Sequence, residues 1–66
     1  MEEISKLMKI LRGELNINQN QLAKLSGLSL NSIRYYEQGR QRPSLSSLRK
    51  LEIALKLERG TLTDLY

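Results

Sequence analysis

Cysteine and histidine are both absent from the 66 residues. Without cysteine there is no disulfide framework, and without either residue the usual zinc sites are excluded. General acid–base chemistry would then need paired carboxylates or a positioned lysine. The acids are Glu2, Glu3, Glu14, Glu37, Glu52, Glu58 and Asp64, and only Glu2 and Glu3 stand together. No enzyme, no cofactor and no metal site is expected. Long hydrophobic runs are missing too, so nothing reads as a membrane span or a signal peptide. The default location is the cytoplasm.

What the chain does have is positive charge in one place. Its formal net charge is +4. Between Asn16 and Lys50 the bases are Lys24, Arg34, Arg40, Arg42, Arg49 and Lys50, opposed by Glu37 alone. A basic middle flanked by more acidic ends fits a surface that faces a polyanion; a merely solvated face is the plain alternative. No repeat, low-complexity tract or long linker divides the chain, so residues 1–66 read as one domain. At this size folding hides only about 60% of the unfolded surface, so one small core is expected.

Helical spacing dominates. Ile4, Leu7, Met8, Leu11 and Leu15 predict a first amphipathic helix over about 2–15, with Glu2 and Glu3 at its positive end and Asn16 as its left-handed stop. Asn18 and Gln21 form a capping box, and Ile17 with Leu22 forms a hydrophobic staple for a second helix ending near Ser26. Gly27 supplies the turn, and cap Ser29 with the staple Leu28–Ile33 starts a third helix that Gly39 ends. Two short helices joined by a glycine turn make a helix-turn-helix pattern. Ser44, after Pro43, caps a fourth helix whose inner stripe reads Leu45, Leu48, Leu51 and Leu55. "LTDLY" predicts a short fifth helix, with Leu62 and Leu65 packing back. Helices this short need a shared core, expected from Leu7, Leu11, Leu22, Ala23, Leu28, Ile33, Tyr36, Leu48, Leu51 and Leu55. The fold class is all-α, a compact orthogonal bundle of five short helices.

The stretch "NQNQLAKLSGLSLNSIRYYEQGRQRPSLSSLRKL" resembles the phage repressor and Cro-type helix-turn-helix family, with a lambda-repressor-like fold. The likeness runs from Arg12 to about Leu57. It rests on Gln19 opening the second helix, Ala23 four later, Gly27 at the turn, Ile33 in the third helix, Glu37 and Gly39 at its end, and Pro43–Ser44 before the fourth. The family marks also have a physical sense: Ala23 is small where two helices cross, and Gly27 takes a positive φ. Ile33 and Tyr36 anchor one side of the third helix, leaving the other to enter a major groove.

The resemblance implies a set of contacts. Leu30, Asn31 and Tyr35 would meet base edges near the helix N-terminus, and Arg34, off that line, an outlying guanine or a phosphate. Asn18, Gln19, Ser29, Gln38, Arg40 and Arg42 would hold phosphates. Arg12 stands where the family pairs an arginine with the glutamate here numbered Glu37, which implies a partly buried bridge between the first and third helices. The sequence departs from the pattern at Leu25–Ser26, at Lys56 where the family usually has glycine, and in the longer connection "LERGTL".

The implied function is a sequence-specific regulator of transcription, a repressor or Cro-like switch, binding double-stranded DNA as a homodimer on a palindromic operator. The candidate dimer patch is Leu57, Leu62, Leu65 and Tyr66, although each leucine reads first as ordinary core. The alternative is the antitoxin of a toxin–antitoxin pair, with a small protein partner and an autoregulated promoter. The initial Met1 favours these over a domain cut from a larger regulator.

Overall fold

The structure is a computed structural model that describes residues 2–66. The readings placed on Met1 and on the Glu2 side chain fall outside the described residues. Within them, α1 spans Glu2–Glu14, α2 Gln19–Ser26, α3 Leu30–Gln38 and α4 Leu45–Ala54. Local chemistry sets each boundary. Asn18 accepts from the Gln21 N–H at 2.8 Å while the Gln21 side chain accepts from the Asn18 N–H at 2.8 Å, completing the capping box. Ser29 and Ser44 each accept the N–H three residues on, at 3.1 Å.

Every one of these helices stops on a left-handed residue: Asn16 at φ 56, Gly27 at 75, Gly39 at 73 and Lys56 at 60. Around Lys56 the two closing bonds run from its own N–H to the Ile53 carbonyl, 3.1 Å, and from the Leu57 N–H to the Glu52 carbonyl, 2.8 Å. Such a pair turns the chain back across the helix end. Lysine is a poor residue for that backbone, because its Cβ crowds the following carbonyl.

The α1 helix packs on α3, while α2 packs on both α3 and α4. Their shared core is Ile4, Met8, Leu22, Ala23, Ile33, Tyr36, Leu48, Leu51, Ala54, Leu55 and Leu62. Leu7, Leu11 and Leu28, expected inside, only flank it. On α1 the deepest positions are Ile4 and Met8, one turn apart. Buried Ser5 beside them donates to the Tyr36 carbonyl at 2.8 Å, which draws α1 onto the end of α3. Leu45 is a correction: at 53% exposed it stands outside the core, and fully buried Pro43 is packed inside instead. No helix among the described residues is long and apolar enough to cross a membrane.

Among the described residues the bundle has four α-helices, not five. In place of the expected fifth lies a single 3-10 turn, Thr63–Leu65, packed on α4. The cause is Glu52, which has no exposed surface. One of its oxygens, Oε2, accepts the N–H groups of Gly60, Leu62 and Thr63 at 3.1, 2.8 and 2.9 Å, and the Thr63 hydroxyl at 3.1 Å. Backbone donors that converge on one point bend a segment around it instead of running along an axis. Arg49 donates to Oε1 at 3.2 Å. Burial pushes the Glu52 carboxyl pKa up, but the Thr63 and Leu62 backbone bonds, the Thr63 hydroxyl and Arg49 outweigh it, and the pKa falls to about 2.

Two stability outcomes follow. A carboxylate whose pKa falls on folding contributes stability above its unfolded value and loses it as pH drops through the folded one. Thermal midpoints should therefore fall as pH is lowered from 4.5 toward 2, and Glu52→Gln should flatten that dependence; an unchanged pH profile would contradict the assignment. At Lys56, relief of the left-handed strain, roughly 1–2 kcal/mol, exceeds the added freedom of an unfolded glycine. Lys56→Gly should then raise the thermal midpoint by about 4–8 °C, the shift expected for about 1 kcal/mol in a domain this small.

Candidate nucleic-acid interface

Two faces of α3 have opposite characters. On one, Ile33, Tyr36 and Glu37 are buried. On the other, Asn31, Arg34, Tyr35 and Gln38 are all exposed. Those positions are i, i+3, i+4 and i+7, so they form one continuous ridge along the helix. Asn31, Arg34 and Gln38 have no side-chain partner among the described residues. Leu30 stands apart from the ridge: it is half-buried and packed against the core, so only part of it meets solvent.

The ridge is held at a fixed height by its buried side. The Tyr36 hydroxyl reaches Ser47 of α4 at 3.4 Å, and the Tyr36 carbonyl takes the Ser5 bond from α1. Glu37 makes the firmest attachment. Arg12 grips it with two parallel bonds, Nε to Oε2 at 2.9 Å and Nη2 to Oε1 at 3.0 Å. The remaining Arg12 nitrogen, Nη1, donates to the Ile17 carbonyl at 3.1 Å. The Arg12 side chain is 22% exposed and that of Glu37 3%. The hydrogen bond that Arg12 donates to Glu37 raises the Arg12 pKa above its usual value; burial opposes the rise and the Glu37 charge supports it.

Gln19 completes this group, donating from Nε2 to Glu37 Oε1 at 3.1 Å. Sequence reasoning placed Gln19 only toward phosphate. The available signal was its position one residue past the Asn18 cap, at the end of α2 that meets α3. Glu37 thus joins α1, α2 and α3. Its negative charge, the single one between Asn16 and Lys50, is balanced inside the protein by Arg12, leaving Arg34 and Arg40 outside uncompensated.

The other expected phosphate residues divide into two kinds. Asn18 and Ser29 spend their side chains on helix caps: Asn18 in the capping box, Ser29 accepting the Ser32 N–H and donating to the Ser32 hydroxyl at 2.9 Å. Their helices still start beside the ridge. Gln38 and Arg40 are exposed. Arg40 follows left-handed Gly39, and its N–H bonds the Tyr35 carbonyl at 2.9 Å. Tyr35, Arg40 and Gln41 line an open cleft of about 350 Å³ at the end of the ridge. Arg42 is differently placed: its guanidinium lies 4.2 Å from the centre of the Tyr66 ring and donates to the Tyr66 main-chain oxygen.

Leu62 has no exposed surface, which removes it from the expected dimer patch; Leu65 and Tyr66 remain partly exposed. Among the described residues no group of three or more histidines, cysteines or acids is placed to hold a metal ion.

A family model described as helix-turn-helix, of the Cro and C1 type, matches residues 8–62. No curated protein and no solved structure gives a significant match.

Deleting one partner of a buried ion pair leaves the other uncompensated, at a cost of about 3–5 kcal/mol. Arg12→Ala should fall at the lower end of that range, since Arg12 is part-exposed, and Arg12→Lys should recover little because lysine lacks the paired donors. Urea unfolding would check both, and a loss below ~1 kcal/mol would show that the bridge matters little.

Proposed function

The chain belongs to the helix-turn-helix family, whose members are DNA-binding transcription regulators, and from that premise we propose that it is a sequence-specific repressor or Cro-like switch. The observation that carries this reading is the exposed ridge of Asn31, Arg34, Tyr35 and Gln38 opposite a buried face. A B-DNA major groove admits an α-helix, and α3 enters it ridge first.

Side-chain chemistry assigns the roles. The Asn31 amide offers an acceptor and donors that match the N6 and N7 edge of adenine. The Tyr35 ring covers a thymine methyl, or its hydroxyl donates to a base or phosphate. Arg34 reaches an outlying guanine or a phosphate, and the exposed part of Leu30 meets a thymine methyl. Around them, the helix starts that follow the caps Asn18 and Ser29, with Gln19 first in α2, present main-chain N–H groups to phosphates. Gln38 and Arg40 hold the other strand.

A nine-residue recognition helix reads few base pairs. Two copies on a palindrome, with half-sites about 34 Å apart, double the information. The chain therefore acts as a homodimer, with Leu57 and Leu65 available for the contact. It works in the cytoplasm, where a bound operator blocks access to a promoter.

Selection of duplexes from a random pool should return a palindrome, and binding to it should weaken steeply with added salt through counterion release. Asn31→Ala should cost about 1–3 kcal/mol on the selected site and relax preference at one base pair. Arg40→Ala should weaken all duplexes alike. Salt-independent binding, or identical behaviour of the two variants, would overturn the reading.

A further inference from the structure

The loop between α3 and α4 carries two arginines, and the fold treats them differently. Arg40 is exposed beside Tyr35 and Gln41 in the cleft at the end of the ridge. Arg42, two residues on, is occupied on two sides by one residue, through the Tyr66 ring and the Tyr66 main-chain oxygen. The arrangement is anchored at both ends. Pro43 is fully buried, and a residue before proline is restricted to extended backbone, which limits where the Arg42 side chain can go. Tyr66 follows the turn Thr63–Leu65, which Glu52 fastens to α4 through Gly60, Leu62 and Thr63.

We propose that Tyr66 withholds Arg42 from the DNA-facing surface, so that of the two loop arginines Arg40 alone contacts phosphate while Tyr66 is seated. Tyr66 is then a residue that sets how many phosphates the loop engages. The main-chain oxygen takes one donor, a bond that a phosphate can replace one for one, whereas stacking over the ring covers the guanidinium face, so the ring is the contact that withholds the arginine. Any change that lifts the 60–66 segment from α4 would release Arg42 and add a phosphate contact. The effect would be sequence-independent, because phosphate contacts carry no base information. This inference rests on the DNA-binding reading above.

The test is a cycle of four proteins, wild type, Arg42→Ala, Tyr66→Ala and the double variant, titrated on one selected duplex from 50 to 200 mM salt. Each phosphate contact contributes about 0.9 to the slope of log Kd against log salt. Arg42→Ala should leave the slope unchanged when Tyr66 is present and lower it by about 0.9 in the Tyr66→Ala background. The advantage of Tyr66→Ala over wild type should shrink about threefold between 50 and 200 mM salt. Tyr66→Leu replaces Tyr66→Ala if the latter does not fold, since leucine keeps apolar bulk without a ring face. Because the comparison is made within each background, a general effect of losing Tyr66 cancels. Arg42→Ala lowering the slope equally in both backgrounds, or in neither, would overturn the withholding of Arg42. Wild type without salt-dependent binding would overturn the DNA reading itself.

Discussion

Glu37 is the constraint on which the arrangement turns. A nearly buried carboxylate is tolerable only if its charge is balanced and its lone pairs are filled. Arg12 and Gln19 meet both needs from two different helices. The pairing therefore decides where α1 and α2 sit relative to α3, and it does so one residue before α3 ends. It also removes the only negative charge from the basic middle of the chain. One side chain thus orients the ridge and cleans up the field around it.

Glu52 performs the corresponding task at the other side of the bundle. Its charge is balanced by Arg49 and its acceptors are filled by the backbone of residues 60–63. The two buried carboxylates differ in what they organise. Glu37 gathers side chains and fixes helix against helix. Glu52 gathers main-chain donors and gives an irregular segment one definite path, which brings Leu62 into the core and Tyr66 to Arg42. A domain this small has little apolar area to spare, and polar clusters of this kind supply definition that the core alone does not.

Much of the architecture was legible before any coordinates. The capping box at Asn18–Gln21, the caps Ser29 and Ser44, and the stops Asn16, Gly27 and Gly39 all act within a few residues, so local rules read them. The alternation of Ile33 and Tyr36 with Asn31 and Tyr35 gave the two faces of α3 for the same reason. The failures were also instructive. Leu45 kept helical step with Leu48, yet Pro43 is packed inside and Leu45 is not. The fifth helix was a fair reading of "LTDLY" alone, but it took no account of an acceptor on α4. Gln19 lies 18 residues from the glutamate it bonds and Arg42 24 from Tyr66, separations on which periodicity is silent. Lys56 is the middle case. The missing glycine was visible in the chain, and the left-handed φ that makes it matter was not.

By itself, then, the order of residues determined where the four helices lie, the caps that start the last three, and the two faces of α3, because hydrogen bonds between near neighbours and helical spacing settle these. Tertiary structure decided which charges are internal and which face outward, the Arg12–Glu37 bridge being the one that the family resemblance had implied: Glu52 is balanced within the fold, Arg42 is taken up by Tyr66, and Arg34 and Arg40 are left to solvent. Charge is a property of a residue. Its availability depends on what chain folding brings within about 3–4 Å of it, and that is not written in any short stretch.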